Sequence, residues 1–418
     1  MASDPTRAAG ASAPKPRGDL RNYALVTGAY WAETLVDGAT RTLVLFYFDR
    51  LGYTPLQVAS LFVLYEIAGV LTNLVGGWLA ARLGLKITLF MGLAVQIVAL
   101  LMLGFAPASL LVVPYVMASQ ALSGVAKDLS KMSSKSAVKL VVPENDQSSL
   151  YRWVAILTGS KNALKGVGFF LGGLLLTLAG FRAAMLAMAA LMLVALIATS
   201  SLMHGHLGRP DKTAKFKQMF SNNRAVNVLA AARIFLFAAR DVWFVVALPF
   251  FLYTVVGWTF WQVGTLLAVW VIGYGAVQAA APRFVRRRGG EPDGRTAIWL
   301  ALGLAVCPAA IAVALDAHVD PTIAILGGLV PFGIAFAMNS AVHSYLILAY
   351  ADNDKVAMSV GFYYMANAGG RLAGTVLSGL VYEWRGLTAC LWTSGGFVLV
   401  AGLLSLLLPA EAAKQASA

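Results

Sequence analysis

Leu51-Gly-Tyr-Thr-Pro-Leu-Gln-Val-Ala-Ser-Leu61 returns, without a gap, as Val256-Gly-Trp-Thr-Phe-Trp-Gln-Val-Gly-Thr-Leu266. The offset of 205 residues holds on to Arg82-Leu-Gly84 against Arg287-Arg-Gly289. A weaker echo pairs Gly180-Phe-Arg182 with Glu383-Trp-Arg385. Two copies of one unit, running in the same direction, therefore fill most of the chain.

Composition says what kind of unit it is. The 418 residues are 59% hydrophobic and only 12% charged, where a soluble domain carries about 25% charged residues. Apolar runs of about 20 residues, each able to cross a hydrocarbon core roughly 30 Å thick, recur along the whole length. The chain reads as an all-α polytopic membrane protein. Spans are expected near 23–48, 56–81, 87–106, 109–127, 153–179, 183–203, 225–256, 261–282, 296–315, 322–350, 356–382 and 387–408. The first, seventh and tenth are long enough to require tilt, kinks or extra turns.

The basic residues orient these spans. With the N-terminus inside, the cytoplasmic segments hold 23 Lys and Arg residues and the opposite loops hold three, Arg50, Arg182 and Arg385. That asymmetry predicts a multi-pass protein of a bacterial inner membrane with both termini in the cytoplasm. The lipid bilayer is its surroundings, and the net charge of +13 follows from the loop bias, so no nucleic acid is implied. Residues 1–22 lack the apolar core of a signal peptide and read as a disordered cytoplasmic tail. They precede an N-terminal six-helix bundle over 23–203, a basic cytoplasmic linker over 204–224, a C-terminal bundle over 225–408 and a second tail over 409–418.

Two six-helix halves in parallel repeat, around a central cavity, resemble the major facilitator architecture. The loop Gly77-Trp-Leu-Ala-Ala-Arg-Leu-Gly-Leu-Lys86 is similar to that superfamily's signature between spans two and three. Arg82 and Lys86 would hold the cytoplasmic gate, although Ala81 stands where an acid is usual. The second half keeps the basic charge in Arg283-Phe-Val-Arg-Arg-Arg-Gly289.

Several chemistries are excluded. No Gly-x-x-x-x-Gly-Lys-Ser/Thr loop is present to cradle nucleotide phosphates. Neither His-Glu-x-x-His nor Gly-x-Ser-x-Gly occurs. Cys307 and Cys390 are isolated in apolar runs and form no metal or disulfide motif. Gradient-driven transport is favoured over an enzyme, with no cofactor and no metal.

Six basic side chains fall inside the spans: Arg41, Lys161, Lys165, Arg233, Arg240 and Arg371. Only four acids lie at similar depth, Glu33, Asp37, Glu66 and Asp241. A cation at mid-bilayer costs roughly 2.5–3.5 kcal/mol on insertion scales, so six of them point to a strongly anionic ligand.

On span one, Glu33, Asp37 and Arg41 recur every four residues and share a helix face. They form either a self-neutralising ladder or proton-coupling carboxylates beside an anion-binding arginine. Two acids one turn apart repel, which suits one of them to carry a proton. On span five, Lys161 and Lys165 share a face about 12 and 18 Å from Trp153 at ~1.5 Å per residue, too deep for Lys165 to reach water comfortably. That helix has no acid, so partners must come from another helix or from substrate, and Asn162 lies beside them.

Span seven places Arg233 and Arg240 on one face, with Asp241 pointing elsewhere. Arg233 is near enough to the cytoplasmic end to gate or to snorkel. Arg371, in Asn367-Ala-Gly-Gly-Arg371, is mid-span with room around it. Guanidinium groups suit phosphate-like oxyanions through their paired donors. Lys127, Lys131, Lys135 and Lys139 recur every four residues past span four. They form either an amphipathic segment against anionic lipid or a funnel for entering anions, and Lys127 is the one best placed to reach the cavity. His343, within span ten, reads as a packed residue before a proton relay.

One resemblance is more specific. Asn22-Tyr-Ala-Leu-Val-Thr-Gly-Ala-Tyr-Trp31, Asp37-Gly-Ala-Thr-Arg41 and Leu51 to Phe62 are followed by Ala126-Lys-Asp-Leu-Ser-Lys-Met-Ser-Ser-Lys-Ser136 and the run from Arg152 to Phe170. Together, and over the first half to about residue 185, these resemble the ArsJ group of major facilitator permeases. The resemblance implies efflux of an organoarsenical, 1-arseno-3-phosphoglycerate, and hence arsenate resistance. It also implies a functional link to a glyceraldehyde-3-phosphate dehydrogenase that makes this ester in the cytoplasm. The alternatives are an organophosphate or sugar-phosphate exchanger and a non-transporting membrane sensor or assembly subunit. A substrate with phosphate at one end and arsenate at the other needs two separated cationic clusters. Arg41, Lys161 and Lys165 in one half, and Arg240 and Arg371 in the other, would supply them.

Overall fold

The computed structural model describes residues 20–53, 61–143, 146–204, 207, 210–220, 223–285, 291–353 and 355–409. The tail through residue 19, the segment 54–60 at the start of the second span, and 410–418 lie outside the described residues. Apolar runs become helices throughout, because a backbone in lipid must satisfy its own hydrogen bonds.

The first half holds α1 (Leu20–Arg50), α2 (Val63–Leu83), α3 (Leu85–Phe105), α4 (Val113–Val141), α5 (Gln147–Leu178) and α6 (Gly180–Leu202). The second holds α7 (Arg224–Phe244), α8 (Ala247–Thr254), α9 (Phe260–Phe284), α10 (Gly294–Asp316), α11 (Pro321–Tyr350) and α12 (Val356–Ser405). α7 and α8 together make the long seventh span, broken at Val245 and Val246. α12 contains two spans, because Gly386 has φ 73° and ψ −169° and turns the chain back. Twelve crossings result. Polar side chains start several of these helices: Asp146 accepts from the Ser149 N–H, Asn223 from Val226, and Thr259 and Gln262 close a reciprocal capping box.

The sequence repeat survives as backbone geometry. Gly52 and Gly257 carry φ values of 83° and 80°, a region open to glycine alone at little cost. Gly180 and Gly386 do the same at 75° and 73° between the last two spans of each half. The structural counterpart of Gly180 is therefore Gly386, three residues beyond the Glu383 suggested by the sequence echo.

Two expected boundaries are corrected. The fourth span does not stop near 127, since α4 continues to Val141 and buries nearly every residue from Ala126 to Val138. The segment 127–139 is thus an interior helix, and the reading as an amphipathic stretch on lipid fails. The fifth span begins at Gln147, six residues before Trp153. Hydropathy misses both extensions because α1, α4 and α5 carry the charged side chains. Eight described helical segments are long and apolar enough to cross a membrane by composition, and these three are not among them.

Glycine sets the helix contacts that matter. Within the first half, Gly38 and Gly168 bring α1 backbone to backbone with α5, and Gly172 meets Ala39. Within the second, Gly370 meets Ile234 and Gly374 meets Ala238, pressing α12 on α7. Between the halves, Gly77 of α2 faces Gly361 of α12, and Gly159 of α5 faces Gly275 and Ala279 of α9. A Cβ at any of these would fall within 3 Å of backbone.

These crossings between halves lie towards the face that carries the linker. There, Tyr151 and Tyr345 rings meet at 5.1 Å, the Tyr345 hydroxyl donates to Gln147 at 3.2 Å, and Lys139 donates to the Ala351 carbonyl. The linker itself runs along α2, with the Trp78 indole donating to the Ala214 carbonyl and Phe220 meeting Phe362 of α12. On the opposite face Phe46 and Trp261 touch at 5.0 Å. The halves are closed at the linker face.

Candidate functional site

The charged side chains of α1, α2, α4 and α5 converge with those of α7 and α12 between the two halves. Asp37 is nearly inaccessible and is shared: Lys165 Nζ lies 3.0 Å from Oδ2, and the Tyr65 hydroxyl donates to Oδ1 at 2.5 Å. Arg41 turns to α2 and bonds Glu66 at 2.7 Å, its guanidinium lying over the Tyr65 ring at 4.3 Å. The carboxylates of α1 therefore do not neutralise Arg41 along their own helix, and the self-contained ladder is corrected. Neighbouring helices supply every partner.

Glu33 behaves differently. It is fully buried, and neither carboxyl oxygen has a hydrogen-bond partner among the described residues. It lies one helical turn from Asp37, on the side towards the linker face.

α4 adds groups that hydropathy hid. Asp128, 1% exposed, takes Lys131 at 2.5 Å and Lys127 at 3.9 Å. Lys127 also sits 3.9 Å above the Tyr65 ring, and Lys131 lies 4.8 Å from the Tyr364 ring of α12. Asp128, Tyr65 and Gln278 are the members that the sequence reading missed, and Lys131 entered it only as part of the lysine series. The four-residue lysine spacing was the available signal for α4, since it is the period of a continuing helix. Nothing in the sequence marks Tyr65 or Gln278.

In the second half a single carboxylate holds two arginines. Asp241, fully buried, accepts from Arg240 Nε at 2.6 Å and from Arg371 Nε at 3.2 Å. Asp241 thus does not point away from its neighbour, as helix geometry alone suggested. Both arginines spend Nε on this contact, which leaves their Nη groups outside it. The Arg371 side chain is 33% exposed and that of Glu66 34%, and the two interact electrostatically across the halves.

Lys161 has no carboxylate within ion-pair distance among the described residues, and it donates to Asn162 Oδ1 at 3.3 Å. Asn162 in turn donates to Gln278 of α9 at 2.6 Å, and Gln278 donates to the Ser340 hydroxyl at 3.1 Å. That chain of amides joins the halves just below the cations. Arg41, Lys127, Lys131, Lys161, Lys165, Arg240 and Arg371 face only Asp37, Glu66, Asp128 and Asp241 as paired carboxylates. Three positive charges remain over, which suits a multivalent anion.

The expected gate residues lie apart from this cluster. Lys86 donates to the Met203 carbonyl at 2.8 Å, and Arg82 stacks on Trp78 at 5.3 Å. Where the signature acid is missing, the Ala81 carbonyl instead accepts the backbone N–H of Asp211 from the linker. Arg233 does not snorkel. It is 2% exposed, donates to Asn367 at 2.9 Å, and lies 3.9 Å from the Phe237 ring. His343 is likewise packed inside, 1% exposed.

Residues 26–368 match the model of the Major Facilitator Superfamily. The chain belongs to that superfamily. Its fold is similar to the crystal structure of a bacterial homologue of the iron transporter ferroportin in an outward-facing state. That match has a TM-score of 0.73 and 14% identity, covering 92% of this chain and 98% of the other. It is also similar to the proton:xylose symporter XylE bound to 6-bromo-6-deoxy-D-glucose, at a TM-score of 0.69 and 14% identity, over 91% and 94% of the two chains. No curated protein matches in sequence. At these identities the likeness to solved structures carries the fold alone, whereas the superfamily match over residues 26–368 carries a multi-pass membrane transporter.

Proposed function

We propose that this superfamily member exports a small, multiply charged organic anion by alternating access, and that the anion is 1-arseno-3-phosphoglycerate. The observation that carries the reading is the pair of cation clusters on opposite walls of one cleft. Lys161, Lys165, Arg41 and Lys127 stand on one wall, and Arg240 and Arg371 on the other. An anion charged at both ends would engage both, drawing the halves together as alternating access requires. The arginine forks would take one tetrahedral oxyanion through two donors each, and the lysines the other as point charges. Asn162 would add a neutral donor beside Lys161.

The resemblance of the first half to the ArsJ group supplies the identity of that anion. A glyceraldehyde-3-phosphate dehydrogenase would form it in the cytoplasm from arsenate, and export across the inner membrane would give arsenate resistance. In this reading the termini and the linker face are cytoplasmic, and Arg82 and Lys86 serve the gate there. Proton coupling is assigned to Glu33 and Asp37. Glu33 is a carboxyl with no ionic partner, and a proton on Asp37 would free Lys165 for substrate.

Everted membrane vesicles test the proposal. Arsenic should accumulate only when arsenate, the dehydrogenase with its glycolytic substrate, and the permease are all present. Equal uptake without the dehydrogenase would sink the organoarsenical reading. Counterflow of labelled 3-phosphoglycerate without arsenate would assign the same site to an organophosphate exchanger.

A further inference from the structure

Below the cleft cluster, towards the closed linker face, lie two cations that the proposed site does not use. α4 descends through Lys127, Lys131, Lys135 and Lys139, about 6 Å per step at ~1.5 Å rise per residue. Lys127 and Lys131 share Asp128, but Lys135, 4% exposed, bonds only the Thr158 hydroxyl of α5. Arg233 of α7, 2% exposed, has the Asn367 amide oxygen and, at 3.4 Å, the Ser340 carbonyl. Neither has a carboxylate within ion-pair distance among the described residues. Thr158 lies one turn from Asn162, whose amide leads through Gln278 to Ser340, and the Ser340 carbonyl accepts from Arg233, so one polar network links the two cations.

Other polar groups of this layer are also unspent. Both side-chain atoms of Asn339, His343 Nδ1 and the Tyr363 hydroxyl are buried without a hydrogen-bond partner. His343 interacts electrostatically with Arg233, and Asn339 is one turn along the same helix. The Arg233 guanidinium lies 5.2 Å from the Tyr363 ring. A buried charge without a counter-ion destabilises a fold, and well-packed apolar residues often substitute for buried ionic groups without loss of stability. A purely packed layer has no use for two of them.

We propose that Lys135 and Arg233, with Asn339 and His343, form a second anion site for a tetrahedral oxyanion such as a phosphate or arsenate group. It is the first stop of the anion after the linker face opens, and passage upward to Lys131 and Lys127 follows the same face of α4. The inference rests on the anion-transport reading, and extends it from one site to two. The oxyanion would supply the missing negative charge and accept from Lys135, Arg233, and the Asn339 amide. In the closed state neither cation has a carboxylate partner among the described residues.

Equilibrium binding of inorganic phosphate to the full-length protein in lipid nanodiscs tests this, with thermal unfolding measured in parallel. The wild-type protein should show two phosphate components. Lys135→Met and Arg233→Gln should each weaken one component by about tenfold or more, the effect of losing a single charge-assisted hydrogen bond. Arg371→Gln should weaken the other. Without phosphate, Lys135→Met should unfold at a higher temperature than wild type, and added phosphate should raise its unfolding temperature less. A single component lost in Arg371→Gln but unchanged in Lys135→Met and Arg233→Gln overturns the second site and leaves the cleft site standing. No phosphate binding by the wild-type protein overturns both.

Discussion

Lys165 and Arg371 are counterparts in the two halves, 206 residues apart like Gly180 and Gly386, and each reaches an aspartate on the first span of its own half. Lys165 Nζ meets Asp37 at 3.0 Å, and Arg371 Nε meets Asp241 at 3.2 Å. In both halves, glycines beside the cation let the fifth span touch the first: Gly168 at Gly38, and Gly370 and Gly374 at Ile234 and Ala238. The repeat has preserved a device as well as a path of the chain. Each half holds a cation at the cleft by a carboxylate placed behind it, so that the positive charge is presented and the negative one withdrawn.

Breaking one of these pairs should cost more than removing it whole. Lys165→Ala leaves Asp37 buried with only Tyr65, and loss of one partner of a buried pair costs about 3–5 kcal/mol. Lys165→Ala with Asp37→Asn should recover much of the unfolding temperature but none of the transport. Thermal unfolding in detergent and vesicle uptake, measured on the same preparations, separate the two effects.

Tyr65 performs two tasks that substitution can split. Tyr65→Phe removes the hydroxyl bond to Asp37, worth about 1.5–3 kcal/mol for a bond to a charged group. It keeps the ring beneath Lys127 and Arg41. Tyr65→Ala removes both. Phe should therefore retain measurable transport with a weaker response to a pH gradient, and Ala should lose substrate affinity as well. Identical behaviour of the two variants would place the whole effect in the hydroxyl.

Glu33→Gln should leave the fold at least as stable as wild type, because no ion pair is lost and the buried group becomes permanently neutral. If Glu33 carries the coupled proton, uptake into vesicles should no longer respond when the pH gradient is imposed or collapsed. Unaltered gradient dependence in Glu33→Gln would remove it from the coupling scheme.

Closure at the linker face depends on backbone contact through glycine. Gly159→Leu or Gly361→Leu should hold that face open, since the added side chain would meet backbone of the opposite half within 3 Å of its Cβ. A cysteine pair replacing Tyr151 and Tyr345, whose rings lie 5.1 Å apart, should be bridged by a bifunctional thiol-reactive linker in the otherwise wild-type protein and much less in either leucine variant. Transport should fall with it.

Much of the fold could be read from the residues alone. Apolar runs, the bias of basic loops and the gapless repeat from Leu51 and Val256 each act locally or through composition, and they gave twelve crossings in two halves. The places where that reading stopped short are physical too. Hydropathy ends a span where charges begin, so it cut α4 at Lys127, although the helix goes on to Val141 with Asp128 and Lys135 buried. A charge hidden by a partner on another helix looks, in sequence, like a charge in water.

The same limit explains the site. The sequence by itself marked six cations and four acids inside the spans, because insertion of an isolated cation is costly enough to be meaningful wherever it occurs, but it left out Asp128 and Lys135 of α4. Only the tertiary structure decided how they pair. Arg41 chose Glu66 over Asp37, Asp241 gathered both arginines, and Glu33, Lys135 and Arg233 were left without ionic partners among the described residues. Those outcomes depend on a few ångströms between helices far apart in the chain. Glycine contacts set that spacing, and no periodicity within a single helix encodes it.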